Sequence, residues 1–336
     1  MNIAQVITRL LQLIPVIIGV TFIVFSLMYL TPGDPVEVMF GGEGAVSEED
    51  LARIRRELGL DRPFFEQYLR FLGGLLRGDL GMSLVQRQPV ARLIAGRLPA
   101  TIELTAAAIL VSLVIAIPAG VISAVRRYST IDKLGTLGTL LGVSMPDFWL
   151  GLVFILLFGI TWKVLPISGR MPFGMEPEHV TGLFVVDAVL TRDWVALKTA
   201  LRHLALPAIT LGTSMAALTM RVTRSSMLEV VQQDYITFAR AKGLSGTQVV
   251  LGHALKNALI PTVTVVTLNI GILLGGNMIV ETVFAWPGLG RLVVDSIYNR
   301  DYTVVQAAVL IYAITYVTMN FLADVLYTVL NPRVRF

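Results

Sequence analysis

Six apolar runs set the terms on which this chain can fold. They cover Leu10 to Leu30, Thr101 to Ala124, Leu134 to Thr161, His203 to Met220, Leu259 to Val283 and Thr303 to Leu330. A helix rising about 1.5 Å per residue needs about 20 apolar residues to cross about 30 Å of hydrocarbon, and each run approaches or exceeds that length. With 55% hydrophobic residues over 336 positions, the chain is also too apolar for a soluble domain of its size. The expected fold is an all-α integral membrane protein with six transmembrane helices. The first run is too long for the apolar core of a cleaved signal, and TPGDP follows it in place of a small-residue cleavage site, so it is read as a retained span.

Lys and Arg sort by membrane side. With the N-terminus inside, the inner segments hold Arg126, Arg127, Arg221, Arg224, Arg240, Lys242 and further bases against only Asp132, Glu229 and Asp234, whereas bases and acids balance in the outer segments. The positive excess therefore lies on one side, which places both termini and residues 234–261 in the cytoplasm. The same sorting accounts for a pI of about 9.4 without any basic patch, so no nucleic-acid partner is expected. Cysteine is absent, which excludes disulfides, thiolate metal sites and cysteine nucleophiles; His179, His203 and His253 are scattered and suggest no metal site.

Between the fourth and fifth runs lies a polar island, DYITFARAKGLSGTQVVLGHALKNALIP, Asp234 to Pro261. Asp234 is placed to cap a helix starting at Tyr235, and Gly243 stands where a chain leaving a helix needs a left-handed residue. Ser245 with Gln248 forms a capping box for a second helix from about Gly246 toward Leu259, which Pro261 is expected to interrupt. A first helix of under three turns is marginal in water, so packing must hold it. Tyr235, Phe238, Ala239 and Lys242 share one of its faces, and Ala239 and Ala241 keep it slim. Spacing alone leaves two readings open: a docking element for a partner, or a basic amphipathic helix resting on lipid headgroups.

ARAKGL followed by HALKNALIP resembles the cytoplasmic coupling loop of ABC importer permeases, in the form typical of the dipeptide, oligopeptide and nickel branch. PGDPV at Pro32 to Val36, LGLDRPFFEQY at Leu58 to Tyr68, GDLGMSL at Gly78 to Leu84 and WPGLGR at Trp286 to Arg291 resemble their counterparts in the same branch, so the likeness covers nearly the whole chain. The resemblance implies a type I ABC importer permease fold with a small periplasmic helical region. Residues 1–98 would form the first span and that region, 99–330 the transmembrane domain with its coupling loop at 234–261, and 331–336 a cytoplasmic tail. It implies a bacterial or archaeal inner-membrane location and, as partners, a second homologous permease, two ABC ATPase subunits, an external substrate-binding protein and membrane lipid. The implied substrate is a small peptide, foremost a dipeptide, with nickel, glutathione or longer peptides as alternatives. In the family this loop seats in a groove of the ATPase, which makes Ala239, Ala241, Gly243 and Leu244 the expected contact core. Phe238 stands where the general family pattern has Glu, and Arg240 where it has a second Ala, so no role for that acid carries over.

No G-x-x-x-x-G-K-[ST] run occurs, nor H-E-x-x-H, nor G-x-S-x-G, so this chain is expected to be no enzyme and to hold no cofactor; ATP and Mg would be bound by partner subunits. Polar residues inside the runs are the remaining signals. Asn269, Asn277 and Glu281 fall at multiples of four on one face of the fifth run, with Gly271, Gly275 and Gly276 permitting close helix approach; a translocation pathway and a polar-glued helix interface both fit. Glu103 reads as interfacial, Asp147 as the cap of a helix restarted after Pro146, and Trp286 as an interface anchor. Residues 162–202 form an outer loop long enough to reach a substrate-delivering partner. An ion-driven secondary transporter is the rival; it expects inverted repeats, and although Leu98-Pro99-Ala100 recurs as Leu206-Pro207-Ala208, the flanks diverge.

Overall fold

The structure, a computed structural model, describes residues 3–30 and 48–330. In order its helices are α1 (Ile3–Leu30), α2 (Glu48–Leu58), α3 (Phe64–Leu76), α4 (Val90–Val125), α5 (Thr130–Ser144), α6 (Asp147–Phe154, continued by a π-helical stretch Ile155–Thr161), α7 (Phe184–Leu190), α8 (Trp194–Val231), α9 (Asp234–Ala241), α10 (Leu255–Leu274, preceded by a π-helical stretch Gln248–Ala254), α11 (Met278–Val283), α12 (Leu289–Tyr298) and α13 (Tyr302–Leu330).

The centre is the pair α4 and α8, whose lengths of 36 and 38 residues exceed the apolar runs that predict them. Small residues let the two backbones approach. A Cβ on Gly212 of α8 would lie 2.7 Å from the Ala108 carbonyl of α4, and one on Gly120 of α4 would lie 3.0 Å from the Met220 carbonyl of α8. Ala100, Leu104 and Ala108 interlock there with Leu204, Ala208, Leu211 and Met215. Pro89 stands at the cap position of α4, which runs without a break through Pro99. Val90 and Ile94 are buried against Leu289, Leu292 and Val304, and this packing outweighs the penalty of about 3 kcal/mol for an interior proline. The boundary expected at 98/99 thus falls inside one helix.

Among the described residues four continuous helices are long and apolar enough to cross a membrane: α4, α8, the 248–274 helix and α13. The third run is not straight. It bends by 105° between α5 and α6, and the pair makes a fifth span only if taken as one. Pro146 occupies the cap position of α6 without any side-chain cap bond, and Asp147 is the first helical residue, so the expected Asp147 cap is not made. α1 has 28 residues, of which Ile14–Ser26 is a shorter apolar stretch among the described side chains. Among the described residues, length and apolarity thus give four spans, or five with the bent pair taken as one, against the six expected.

α3 packs on α1 through aromatic rings: Phe22 and Phe25 each meet Phe64 and Tyr68, and the Thr21 and Tyr68 hydroxyls share a 3.0 Å hydrogen bond. The PGDPV motif and the 331–336 tail lie outside the described residues.

Candidate functional site

α9 has eight residues and would not persist alone. Ile236 and Ala239 hold it by entering a cluster with Val121 and Ala124 of α4, Met227 of α8, and Val249, Ala254 and Ala258 of the following helix. The opposite side is open: Tyr235, Phe238, Ala241 and Lys242 are exposed, and Lys242 Nζ stands 4.6 Å from the Phe238 ring centre. Gln233, not Asp234, is the cap residue; Asp234 is the first helical residue and places its charge at the positive end of the helix dipole.

Gly243 closes α9 at φ +81°. Its N–H donates to Arg240 O at 2.9 Å, and Leu244 N–H donates to Ala239 O at 3.4 Å, the paired bonds of a Schellman turn. The capping box then forms as expected: Ser245 N–H donates to Gln248 Oε1 at 3.0 Å and Gln248 N–H to Ser245 Oγ at 3.4 Å. Asn257 Nδ2 donates to the Tyr235 hydroxyl at 2.7 Å, tying the second helix back to the first. That second helix does not stop at Pro261 but continues to Leu274. Ala258 and Thr262 are buried, and Thr262 Oγ1 is 3.0 Å from Thr223 Oγ1 of α8, so packing carries the helix past the missing N–H.

Two turns before α8 ends, Arg224 makes a forked contact with Asp132 of α5: Nε to Oδ1 at 2.7 Å and Nη2 to Oδ2 at 2.9 Å. Ser123 Oγ of α4 donates to the same carboxylate at 2.7 Å and Tyr128 N–H at 2.9 Å. The pair fastens α4, α5 and α8 at the base of the 234–261 knob. Sequence reasoning used both residues only in a charge count, and no local spacing connects them.

This geometry is an exposed, doubly capped knob seated on two membrane helices, and the comparisons identify its setting. Residues 116–336 match the family described as binding-protein-dependent transport system inner membrane component, and residues 3–105 match its N-terminal companion. The chain belongs to this family. It is 43% identical over 333 residues to the dipeptide transport system permease protein DppB of Escherichia coli K12, with 98% of each chain covered. It is 46% identical over 327 residues to the di/tripeptide transport system permease protein DppB of Pseudomonas aeruginosa, with 97% of each covered. The glutathione transport system permease protein GsiC of Escherichia coli O6:H1 is 39% identical over 331 residues, with 98% of each covered. The fold is accordingly that of a type I ABC importer permease.

Within this importer permease the four residues expected to touch an ATPase are divided. Ala241, Gly243 and Leu244 are exposed, whereas Ala239 is 6% exposed and packs into the chain's own core. Ala239 therefore seats the knob. The polar stripe of the fifth run also changes. α10 ends at Leu274, Gly276 turns the backbone at φ +92°, and Asn277 caps α11 by accepting from Val280 N–H at 3.0 Å. Asn269, half-buried on α10, thus lies on a different helix from Asn277 and Glu281. Glu281 is fully buried; it accepts from Thr101 Oγ1 at 3.1 Å and Arg291 N–H at 2.9 Å, and its carboxylate lies where a Cβ on Gly288 would be 2.5 Å away. Trp286, expected at the interface, is 1% exposed and donates from Nε1 to Ala100 O at 2.9 Å. The WPGLGR turn is thus riveted to α4, which a sequence reading of Trp as amphipathic anchor misses.

Glu103 is likewise buried in the protein. It pairs in the interior with Arg170 at 2.7 Å and accepts from Val185 N–H at 2.7 Å, while Arg170 donates to Gly182 O and stacks 3.6 Å over the Phe184 ring. Burial opposes ionisation of Asp187, but the Thr181 hydroxyl and the N–H groups of Thr181, Gly182 and Val180 outweigh it and hold the carboxyl below the usual range. The base of the 162–202 loop is therefore fixed to the body, with Phe173 fully exposed at its outer part.

Proposed function

We propose that this chain is one of two permease subunits of an ABC importer that takes up small peptides, dipeptides foremost, across a bacterial inner membrane. The observation that carries the reading is the capped knob at 234–261, rigid within itself and joined to α4 and α8, in a chain similar over its full length to peptide permeases. Both termini and the knob face the cytoplasm, an external binding protein delivers substrate, and two ATPase subunits drive alternating access by moving the knob. Ala241, Gly243 and Leu244, with the Tyr235, Phe238 and Lys242 face, make the ATPase contact. Asn269, half-buried on α10, lines the pathway in this reading. Reconstituting the chain with its genomic partners in vesicles tests this: ATP-driven dipeptide uptake is expected, and uptake that persists without the ATPase subunits rejects it.

A knob that transmits force must keep its elbow. A Cβ at Gly243 would meet nothing within 4 Å, so substitution there acts on backbone conformation alone. Gly243→Val, a β-branched residue forced to positive φ, is expected to cut transport by at least about tenfold with membrane insertion intact. Gly243→Asn, which tolerates that conformation, should retain most of it. Equal transport by both variants would remove the elbow from the mechanism. At the outer face, the exposed Phe173 region of the 162–202 loop meets the binding protein. Because the chain has no cysteine, a single Phe173→Cys variant gives a clean cross-linking probe, and labelling of the binding protein is the expected result. Labelling of lipid alone would reject the contact.

A further inference from the structure

Beside the knob lies a groove of about 740 Å³ that neither the fold nor the transport reading uses. Its floor is apolar: Ile122 and Val125 of α4, Ile131 of α5 and Leu251 of the following helix are 44–54% exposed there. Two cations border it, Arg126 immediately after α4 and Arg240 on α9. Both are exposed, and among the described residues neither has a carboxylate within ion-pair distance, in contrast to Arg224 nearby. Arg240 lies roughly half a turn around α9 from the Tyr235, Phe238 and Lys242 stripe.

We propose that this groove binds an anionic phospholipid of the inner leaflet. An occupant must offer an apolar tail to Ile122, Val125 and Ile131 and an anion to two unpaired guanidinium groups. The apolar run of α4 ends at Val125 with Arg126 next, which puts the groove at the end of a membrane-crossing helix, where headgroup phosphates lie. Arg forks match phosphate oxygens in geometry as well as charge, and the exposed Thr247 hydroxyl adds a donor on the same rim. A lipid held there bridges α4, α5 and α9, the elements that carry the knob. The inference rests on the inward orientation of residues 234–261 and not on which substrate is carried.

The test uses the complete transporter with Ile131→Cys as its only cysteine in this chain, carrying a photo-activated label, in vesicles of phosphatidylethanolamine with and without phosphatidylglycerol. Labelling of phosphatidylglycerol in preference to phosphatidylethanolamine is expected, unaffected by inorganic phosphate. It should fall by about fivefold in the Arg126→Gln, Arg240→Gln double variant and return in the Lys, Lys variant. Equal labelling of the two lipids, competition by inorganic phosphate, or labelling of a partner subunit in place of lipid would each overturn the site. Because the readout is lipid capture, a transporter that captures lipid but moves no peptide defeats the functional reading alone.

Discussion

Arg224→Ala is expected to cost about 3–5 kcal/mol, because it strips the cationic partner of a carboxylate that is 4% exposed. Ser123 Oγ and Tyr128 N–H would still donate to Asp132, but two neutral donors do not replace a forked guanidinium. Arg224→Lys should recover part of the loss, since a point charge meets one oxygen well and not both. The double change Asp132→Asn, Arg224→Gln should be milder than Arg224→Ala alone, because it leaves no bare buried charge. Thermal unfolding of the purified transporter, followed by loss of the monodisperse species, ranks the three. A wild-type melting temperature for Arg224→Ala would mean that water reaches Asp132 and that the clamp holds nothing. The consequence for transport follows from position: Arg224 lies in the helix that leads directly into α9, so a loosened clamp lets the knob move without moving α4 and α5.

What the residues alone disclosed, and what they hid, divides by distance along the chain. The Gly243 elbow and the Ser245 and Gln248 box were legible because their bonds span three to five residues, and both form. Helix ends were less so. Pro99, Pro207 and Pro261 all lie inside helices, where burial of Ala100, Leu206 and Ala258 close to them decides against the local preference to stop. The partners of Glu103 and Asp132 stand 67 and 92 positions away, and no spacing rule reaches that far. The period-four stripe of Asn269, Asn277 and Glu281 presupposed an unbroken helix. Gly275 and Gly276 do make room for neighbours, since a Cβ would lie 1.6 Å from Tyr312 Cδ2 at the first and 2.5 Å from Gly290 N at the second, but they also end the helix.

That break carries the other large effect. At Gly276 two requirements coincide: φ is +92°, and a Cβ would lie 2.5 Å from Gly290 N and 2.8 Å from Gly290 Cα. The approach is reciprocal, since a Cβ on Gly290 would lie 2.7 Å from Met278 N. Two backbone segments meet here with no side chain between them, and neither can retreat cheaply: Glu281 receives Arg291 N–H on one side, and Trp286 is bonded to Ala100 on the other. Gly276→Ala is therefore expected to cost more than about 4 kcal/mol, as a steric clash added to a strained φ. Gly243→Ala supplies the control, with a similar φ of +81° but open space around the new methyl, and should cost only about 1–2 kcal/mol. The difference between the two melting shifts isolates the price of the contact between residues 276 and 290. If both variants melt alike, the backbones do not meet as closely as drawn, and the anchoring of the WPGLGR turn to α4 must rest on Trp286 and Glu281 alone.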